Sequence, residues 1–394
     1  VEMNDAGIYE AIERLRAFIN VPELARMAGR FFDIVLAKDM PEFKPRESDE
    51  GMTENPVGRP RKKIVPAILE MSPQQKEHLE SIRERYRRWM NADGKTRREM
   101  MMAGKDTPLQ ISGEASLSAL DYRLVDRFAP DFEGSKANAA VNNIAGIYHE
   151  HPKATQMVFM EQGFNDYTDR MKTRRDDKGN PSTDADGKPI KDKERVIKFN
   201  VLRDMVEKLN AKGIPPEEIA IFANMNLDPI AQRPDDILRR CVRVTGAVTK
   251  EDISALMRAG KIRVAFGQTE TMGTGVNAQD YMRAMHHLDA PWMPGSLEQR
   301  NGRGWRQGNK WNTVLEYRYT VEGSGDGKRW QVLLNKVRFI SRFIELLNGD
   351  GNIERSLEGD AADAADENDA VASFENTFSA AAGDPRQMLK VGLE

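Results

Sequence analysis

Cysteine is nearly missing from this sequence, and it has neither a long apolar run nor a large net charge. Cys241 is the single cysteine among 394 residues. This excludes an internal disulfide framework and a cysteine-based zinc site, and it agrees with a reducing compartment. We find no run of about 18 apolar residues and no signal-peptide pattern, so we expect no membrane partner. The formal net charge of -3 neither requires nor excludes a nucleic acid.

The length and local composition predict several units along the chain. With 394 residues the chain can bury a large core and form two structural units. Position 1 is Val rather than Met, so we expect a processed product or a fragment of a longer chain. Residues 1–40 have apolar positions at helical spacing and are predicted to be helical. Residues 41–130 are predicted to be a linker and helical region, and residues 349–394 an acidic, partly flexible tail.

Within the linker, residues 58–63 read Gly-Arg-Pro-Arg-Lys-Lys. A Gly-Arg-Pro core with flanking bases is similar to a minor-groove hook, although a solvated linker is the favoured interpretation. Ser72-Pro73 then predicts the start of a helix with one apolar face. The arginines at positions 83, 87 and 88 lie off that face and are candidates for phosphate contacts.

Short apolar strands alternate with helices between residues 131 and 348. This alternation predicts an α/β fold with a mainly parallel sheet that is covered by helices. Residues 166–195, rich in Lys, Arg, Asp and Gly, are predicted to be an insertion. Within them, residues 182–193 resemble a calcium loop, but Lys193 occupies the position of its final Glu, so we reject a calcium site.

Residues 286–307 contain a candidate anion site. Ser296 and Gln299 have the spacing of a capping box, which predicts that a helix starts there, and Gly308 is placed to end it. Arg303 and Arg306 would then project from the same helical face as Gln299. Two neighbouring guanidiniums repel each other unless an anion or a carboxylate lies between them. A surface helix with solvated arginines is the alternative.

A glycine-containing loop follows the predicted strand at residues 262–266. Gly273 and Gly275 free backbone N–H groups to approach a phosphate, and three polar side chains can hydrogen-bond it: Thr274, Asn277 and Gln279. Such a loop lies beyond the carboxyl end of its strand, where open α/β sheets bind ligands. On its own it could equally be an ordinary turn.

His286 and His287 are adjacent on the predicted strand that ends at Asp289. Adjacent strand residues face opposite sides, so the two rings cannot easily share one metal ion. We therefore predict packed or hydrogen-bonded histidines and no metal site.

Three stretches together carry a family resemblance: Thr-Glu-Thr-Met-Gly-Thr-Gly-Val-Asn-Ala-Gln at 269–279, His-Leu-Asp-Ala-Pro-Trp-Met-Pro at 287–294, and Gln-Arg-Asn-Gly-Arg-Gly-Trp-Arg-Gln-Gly-Asn at 299–309. They resemble motifs V and VI of superfamily-two helicases. The Pro-Trp-x-Pro and Arg-Gln-Gly-Asn details are similar to the Swi/Snf-like branch. The combination resembles the phage and plasmid antirestriction proteins that join such a motor to a DNA methyltransferase. The similarity extends from about residue 18 to residue 385.

This resemblance implies a RecA-like C-terminal helicase lobe of the P-loop NTPase type at residues 131–348, preceded by a first lobe. It implies that Arg303 and Arg306 are arginine fingers acting on ATP. Further residues would bind ATP or couple to it: Gln299, Gly273, Gly275 and Asp289. Others would contact nucleic acid: Thr274, Asn277 and Gln279.

The implied cofactors are ATP and Mg²⁺, held mainly by the first lobe. The implied partners are double- or single-stranded DNA, the first lobe and, in the antirestriction type, a methyltransferase domain. The implied location is the cytoplasm of a bacterial host or a phage particle.

The ATP-binding half of such a motor is missing from these residues. No Gly-x4-Gly-Lys-Ser/Thr sequence is present: Gly187-Lys188 is followed by Pro189, and Gly327-Lys328 by Arg329. No strand-borne Asp-Glu box is present either. We therefore expect no ATP hydrolysis by this chain alone. A non-catalytic DNA-binding or scaffold protein built on a helicase-like lobe is the alternative hypothesis.

Overall fold

Seven parallel strands form the centre of the fold. The computed structural model describes residues 51–102, 106–174, 190–227, 236–245 and 247–347, together with residues 43–47, Ser182 and isolated positions before residue 43. In the seven-stranded sheet every neighbouring pair of strands is parallel. The predicted α/β fold with a mainly parallel sheet is thereby confirmed.

The strands are β1 Glu2–Met3, β2 Tyr9–Glu10, β3 Arg61–Leu69, β4 Thr155–Phe159, β5 Tyr167–Thr173, β6 Lys191–Ile197, β7 Ile219–Phe222, β8 Val242–Arg243, β9 Val264–Gly267, β10 Met282–His287 and β11 Thr313–Val321. The helices are α1 Pro73–Asn91, α2 Gly94–Met102, α3 Pro108–Leu120, α4 Lys136–Glu150, α5 Val201–Ala211, α6 Ile237–Arg240, α7 Lys250–Arg258, α8 Thr269–Met272, α9 Pro294–Asn301 and α10 Asp326–Leu347. Short 3-10 helices lie at Tyr122–Leu124 and Pro216–Glu218.

The strand order in the main sheet is β3-β11-β10-β4-β9-β7-β8. The inner strands β4, β7 and β9 are buried on both faces, which is why β7 and β9 are continuous apolar runs and β4 is apolar from Met157 to Phe159. Val158 packs with residues of α4 and α5 on one face, whereas Met157 and Phe159 pack with residues of α7 on the other. Because all seven strands run in the same direction, their carboxyl ends meet at one edge of the sheet.

An edge strand replaces part of the predicted linker. β3 pairs with β11 from Arg61 opposite Thr313 to Leu69 opposite Val321. The prediction of a linker was wrong here because basic residues and Pro66 obscure the apolar pattern of the strand. Charged residues and proline are common on edge strands, where they discourage pairing with another chain.

The Gly-Arg-Pro sequence is docked on the lobe rather than extended as a hook. The Arg59 guanidinium lies 3.8 Å from the centroid of the Trp305 ring. The Trp305 indole N–H donates to the Pro60 carbonyl oxygen at 2.7 Å. This stacking fixes the segment that precedes β3, so the favoured interpretation of a solvated linker is wrong for these residues.

The predicted insertion lies outside the main sheet. β5 and β6 form a separate two-stranded antiparallel sheet. At its base the Lys198 backbone N–H donates to the Asp166 carbonyl oxygen at 2.7 Å, so the two ends of the insertion meet. Most of the calcium-like sequence lies outside the described residues. Within the described part of the chain, no group of His, Cys, Asp and Glu side chains could hold a metal ion.

Most of residues 1–40 and all of the acidic tail also lie outside the described residues. The four residues of β1 and β2 form an antiparallel pair, which differs from the predicted helix. The intervening sequence, Asn-Asp-Ala-Gly-Ile, includes three residue types that favour turns, Asn, Asp and Gly. No helix in the described ranges is both long and apolar enough to cross a membrane.

The helix of the candidate anion site is shorter than predicted. α9 begins after Met293 with Pro294 in its first turn and has no side-chain cap, so the predicted capping box of Ser296 is wrong. Proline suits this position because its fixed φ matches the helix. The helix ends at Asn301 with Gly302 as its C-cap. Arg303 and Arg306 therefore lie in the turns that follow α9, before Gly308.

Gly304 sets how closely these turns approach the sheet. A Cβ atom at this position would lie 2.7 Å from Met282 Cγ and 2.9 Å from Met285 Sδ. If α9 continued as an exposed helix past Gly302, position 304 would not touch the sheet. Alanine would then be more stable than glycine at this position.

We therefore expect Gly304→Ala to destabilise the fold by about 1–3 kcal/mol because it overpacks the turn against β10. Urea denaturation followed by circular dichroism measures the change. Gly295→Ala is a matched control, since a Cβ there meets no atom within 4 Å. A stabilising effect of Gly304→Ala would instead support the continuous helix.

Candidate functional site

The carboxyl ends of β4, β9 and β10 lie side by side. Phe159 pairs with Gly267 on one side and with His287 on the other. The loops that leave these three strands therefore converge at the same edge of the sheet. This is the edge at which open parallel sheets bind ligands.

Arg300 joins these three loops. Its side chain is fully buried at 0% exposure. Nη2 donates to Glu161 Oε1 at 2.8 Å and to Asp289 Oδ1 at 3.1 Å, and Nη1 donates to the Asp289 carbonyl oxygen at 2.9 Å. Nε donates to Thr269 Oγ1 at 2.9 Å. One planar guanidinium thus connects the loops after β4, β9 and β10, a task that suits its forked donors.

Each of the two acids in this network also accepts a hydrogen bond from the backbone of a neighbouring loop. Asp289 Oδ2 accepts a hydrogen bond from the Glu161 backbone N–H at 2.6 Å. Glu161 Oε1 accepts one from the Thr269 backbone N–H at 3.0 Å. Burial raises the pKa of Asp289, and the positive charge of Arg300 opposes this rise. Asp289, predicted to couple to ATP, is placed here to hold the start of the loop that leads to α9.

Arg303 and Arg306 both reach the glycine-containing loop. Arg303 Nε donates to the Gly273 carbonyl oxygen at 3.0 Å, and Nη1 donates to the Val276 carbonyl oxygen at 2.8 Å. Arg306 is exposed, and its Nη1 lies 3.4 Å from Asn277 Oδ1. Burial lowers the pKa of Arg303, and the positive charge of Arg306 lowers it further. The two arginines thus lie close enough to repel each other, a geometry that an anion would relieve.

The structure brings together some of the other predicted residues and separates others. Thr274 and Asn277 are exposed on the loop, and Gly275 has a φ of +72°, a conformation that favours glycine. At Gly273 a Cβ would lie 2.3 Å from the Thr269 carbonyl oxygen, so the turn itself requires this glycine. Gln279 is half-buried, in contrast to the exposed Thr274 and Asn277. Gln299 is exposed near the end of α9.

His286 and His287 have the contacts expected of packed histidines. His286 Nδ1 lies 2.9 Å from Tyr319 Oη, and its Nε2 lies 3.0 Å from Gln156 Oε1. His287 Nε2 lies 3.2 Å from Asn301 Oδ1 on the opposite face of the strand. Burial lowers the pKa of both imidazoles to about 3, so both are neutral at neutral pH.

No family model matches this chain. Defense against restriction protein B of Escherichia phage P1 is 37% identical to it over 83 residues, which are 20% of this chain and 4% of that protein. Among solved structures, the SWI2/SNF2 ATPase core of Sulfolobus solfataricus in complex with dsDNA aligns with 13% identity and a TM-score of 0.39, covering 81% of this chain and 49% of that one. The C-terminal part of the Fun30 ATPase domain aligns with 10% identity and a TM-score of 0.37, covering 74% and 99%.

The chain is similar to Swi2/Snf2 ATPase cores. It spans about half the length of the first of these structures and matches only a small part of the phage protein. The match to the phage protein supports the resemblance to antirestriction proteins.

We expect Arg300→Met to lower the free energy of unfolding by about 3–5 kcal/mol, because it leaves two carboxylates without their buried partner. Urea denaturation monitored by tryptophan fluorescence measures the loss. Arg240→Met is the control, since Arg240 pairs with Glu217 on the surface and its loss should change stability little. Equal effects of the two variants would contradict the role assigned to Arg300.

Acidification from pH 7.5 to pH 5 is expected to cost about 2 kcal/mol of stability for each buried histidine. The folded pKa of each is about 3, below the value of about 6.5 in an unfolded chain, so the unfolded state binds protons first. This stability is fully present above about pH 6.5 and is lost as the pH falls toward 3.

Urea denaturation at both pH values checks this dependence. His286→Gln should reduce the loss of stability on acidification. His149→Gln, at an exposed position, should leave it unchanged. If the two variants lose stability equally on acidification, the buried histidines do not cause the pH dependence.

Proposed function

We propose that this chain supplies the second motor lobe of an ATP-dependent DNA helicase or translocase. Arg303 and Arg306 act as arginine fingers on ATP that is held by a first lobe outside these 394 residues. The complete protein works in phage or mobile-element DNA processing of the antirestriction type. The 83-residue match to Defense against restriction protein B supports this context.

The contact between Arg303 and the loop at residues 273–277 carries the proposal. An arginine finger must reach a phosphate that belongs to another lobe, and Arg306 is exposed at this position. Arg303 is half-buried and donates to two loop carbonyl oxygens. A move of its guanidinium toward a phosphate would exchange these bonds for charge-assisted ones, which are stronger. Occupation of the phosphate site would therefore release the loop.

The released loop is the proposed link to DNA. Thr274 and Asn277 are exposed there, and the Asn277 amide can donate a hydrogen bond to a backbone phosphate without reading the base sequence. The Thr274 hydroxyl, which donates to the Glu270 carbonyl oxygen at 2.9 Å, would exchange that bond for one to a phosphate. Asn277 Oδ1 also accepts from Arg306, so its side chain faces both the arginine pair and the surface. Repeated release and rebinding of the loop would alter its hydrogen bonds to the phosphates of a DNA strand.

The residues of the site fit a polyphosphate but not its metal ion. ATP supplies the phosphoryl group, and Mg²⁺ neutralises charge on its β- and γ-phosphates. The paired guanidiniums would stabilise negative charge that develops in the transition state. No acidic cluster in the described ranges could hold a metal, so Mg²⁺ would be bound by the first lobe.

Arg303→Ala tests the proposal in a complete motor that contains the P-loop lobe. We expect the DNA-stimulated kcat for ATP hydrolysis to fall by a factor of about 10³–10⁵, equivalent to about 4–7 kcal/mol. Arg303→Lys should fall nearly as far, because an ammonium lacks the fork that holds two phosphate oxygens. Arg240→Ala is the control at a distant surface arginine.

Near-normal turnover by Arg303→Ala would exclude the arginine-finger role. The 394-residue chain alone should give no turnover with or without DNA, and addition of the first lobe should give activity. DNA binding without ATP turnover in every combination would support the non-catalytic alternative, which the lack of a P-loop sequence in this chain favours.

A further inference from the structure

A corner between α1 and α2 carries four exposed basic side chains. Arg87 and Arg88 lie near the end of α1, and Lys95 and Arg98 lie on α2. We call these four residues the basic corner. Residues 83–102 contain seven Lys or Arg and only three Asp or Glu, so this stretch is positive although the formal net charge of the chain is -3.

The fold neutralises the other arginines of α1 but not those of the basic corner. Arg85 donates to Asp106 at 2.6 Å and to both carboxylate oxygens of Glu114 at 3.0 Å, and so connects α1 with α3. Arg83 pairs with Glu80. None of the four corner residues has an ion pair or a side-chain hydrogen bond with any residue that the structure describes. Contacts within the described part of the chain therefore do not explain why these four positions are basic.

The angle of the corner is fixed by hydrogen bonds. Arg97 Nε donates to the Trp89 carbonyl oxygen at 3.1 Å, and its Nη2 donates to the Met90 carbonyl oxygen at 2.7 Å. Asp93 Oδ1 accepts from the Thr96 backbone N–H at 2.8 Å at the start of α2. These bonds satisfy backbone groups at the end of one helix and the start of the next. A partner would meet pre-organised backbone, which lowers the entropy cost of binding.

Four like charges on one rigid corner suit a partner with regularly spaced negative charge. Three acids lie nearby, Glu84, Asp93 and Glu99, and they offset only part of the positive charge of this stretch. α1 starts just after β3 ends at the carboxyl edge of the sheet, and its 19 residues span about 28 Å. The arginines of the corner therefore lie about 21 Å or more along α1 from its start, at the end away from β3.

We propose that the basic corner binds the phosphate backbone of duplex DNA, as a second contact besides the loop at residues 273–277. This inference rests on the proposed function, which makes DNA the partner of the lobe. Lys and Arg contacts to phosphate position a protein on DNA without reading its sequence. The corner thus adds affinity and orientation but no sequence preference.

The salt dependence of binding tests this contact directly. The 394-residue chain is titrated with a fluorescent DNA duplex over a series of KCl concentrations, and the slope of log K against log salt is measured. Each phosphate contact contributes about 0.9 to this slope. Arg87→Ala with Arg88→Ala should reduce its magnitude by about 2, and so should Lys95→Ala with Arg98→Ala.

Two controls separate the corner from general charge. Arg87→Lys with Arg88→Lys keeps both charges and should keep the slope. Lys212→Ala with Lys261→Ala removes the same charge from exposed positions in loops that precede β7 and β9, at the amino edge of the sheet, and should also keep it. Thermal unfolding midpoints should be equal in all variants, because these side chains support no described contact.

A wild-type slope in both corner variants overturns the proposal, and so does an equal loss in the Lys212 and Lys261 control. Failure of the unaltered chain to bind duplex DNA at low salt overturns it as well. Tighter binding of a polyglutamate peptide than of the duplex through the corner would assign it to an acidic protein partner instead. All these outcomes are independent of ATP turnover by Arg303 variants, so the corner and the arginine fingers can fail separately.

Discussion

The buried Arg300 guanidinium is the contact on which the rest of the site depends. It lies where three parallel strands end, and its hydrogen bonds fix the loops after β4, β9 and β10 relative to one another. An isolated charge at this depth would be very unfavourable, so Glu161 and Asp289 are required by the same constraint. Arg303 and Arg306, which follow α9, are thereby held near the loop that leaves β9.

This arrangement separates a rigid base from an exchangeable surface. The rigid base consists of buried groups, including the two neutral histidines and the Arg300 network. Water and phosphate do not compete for the hydrogen bonds of these groups. Above the base, Arg303 holds the loop at residues 273–277 through two carbonyl oxygens at a half-buried position, where water and phosphate can compete. The proposed exchange of Arg303 between the loop and a phosphate would use both parts, because a movable contact shifts a loop only when its support stays fixed.

The sheet could be predicted because β7 and β9 are uninterrupted apolar runs and the other inner strands still contain short apolar stretches. β3 was missed because an edge strand tolerates Lys, Arg and proline, and those residues also suit a linker. The end of α9 was missed because the helical spacing of the arginines continues past Gly302, and only tertiary packing shows that Gly304 must touch Met282. The two arginines and the loop were found from a motif. Arg300 lies in the same motif, but nothing in its neighbours distinguishes a buried guanidinium from a solvated one.

The hydrogen bond between Lys198 and Asp166 has a further consequence. It joins the two ends of the β5–β6 insertion. These ends therefore keep the same position next to the main sheet whatever the length of the chain between them. Loop-closure entropy rises only slowly with length, and a base held in this way changes little when the segment grows or shrinks. The insertion can therefore vary in length and sequence without disturbing the main sheet.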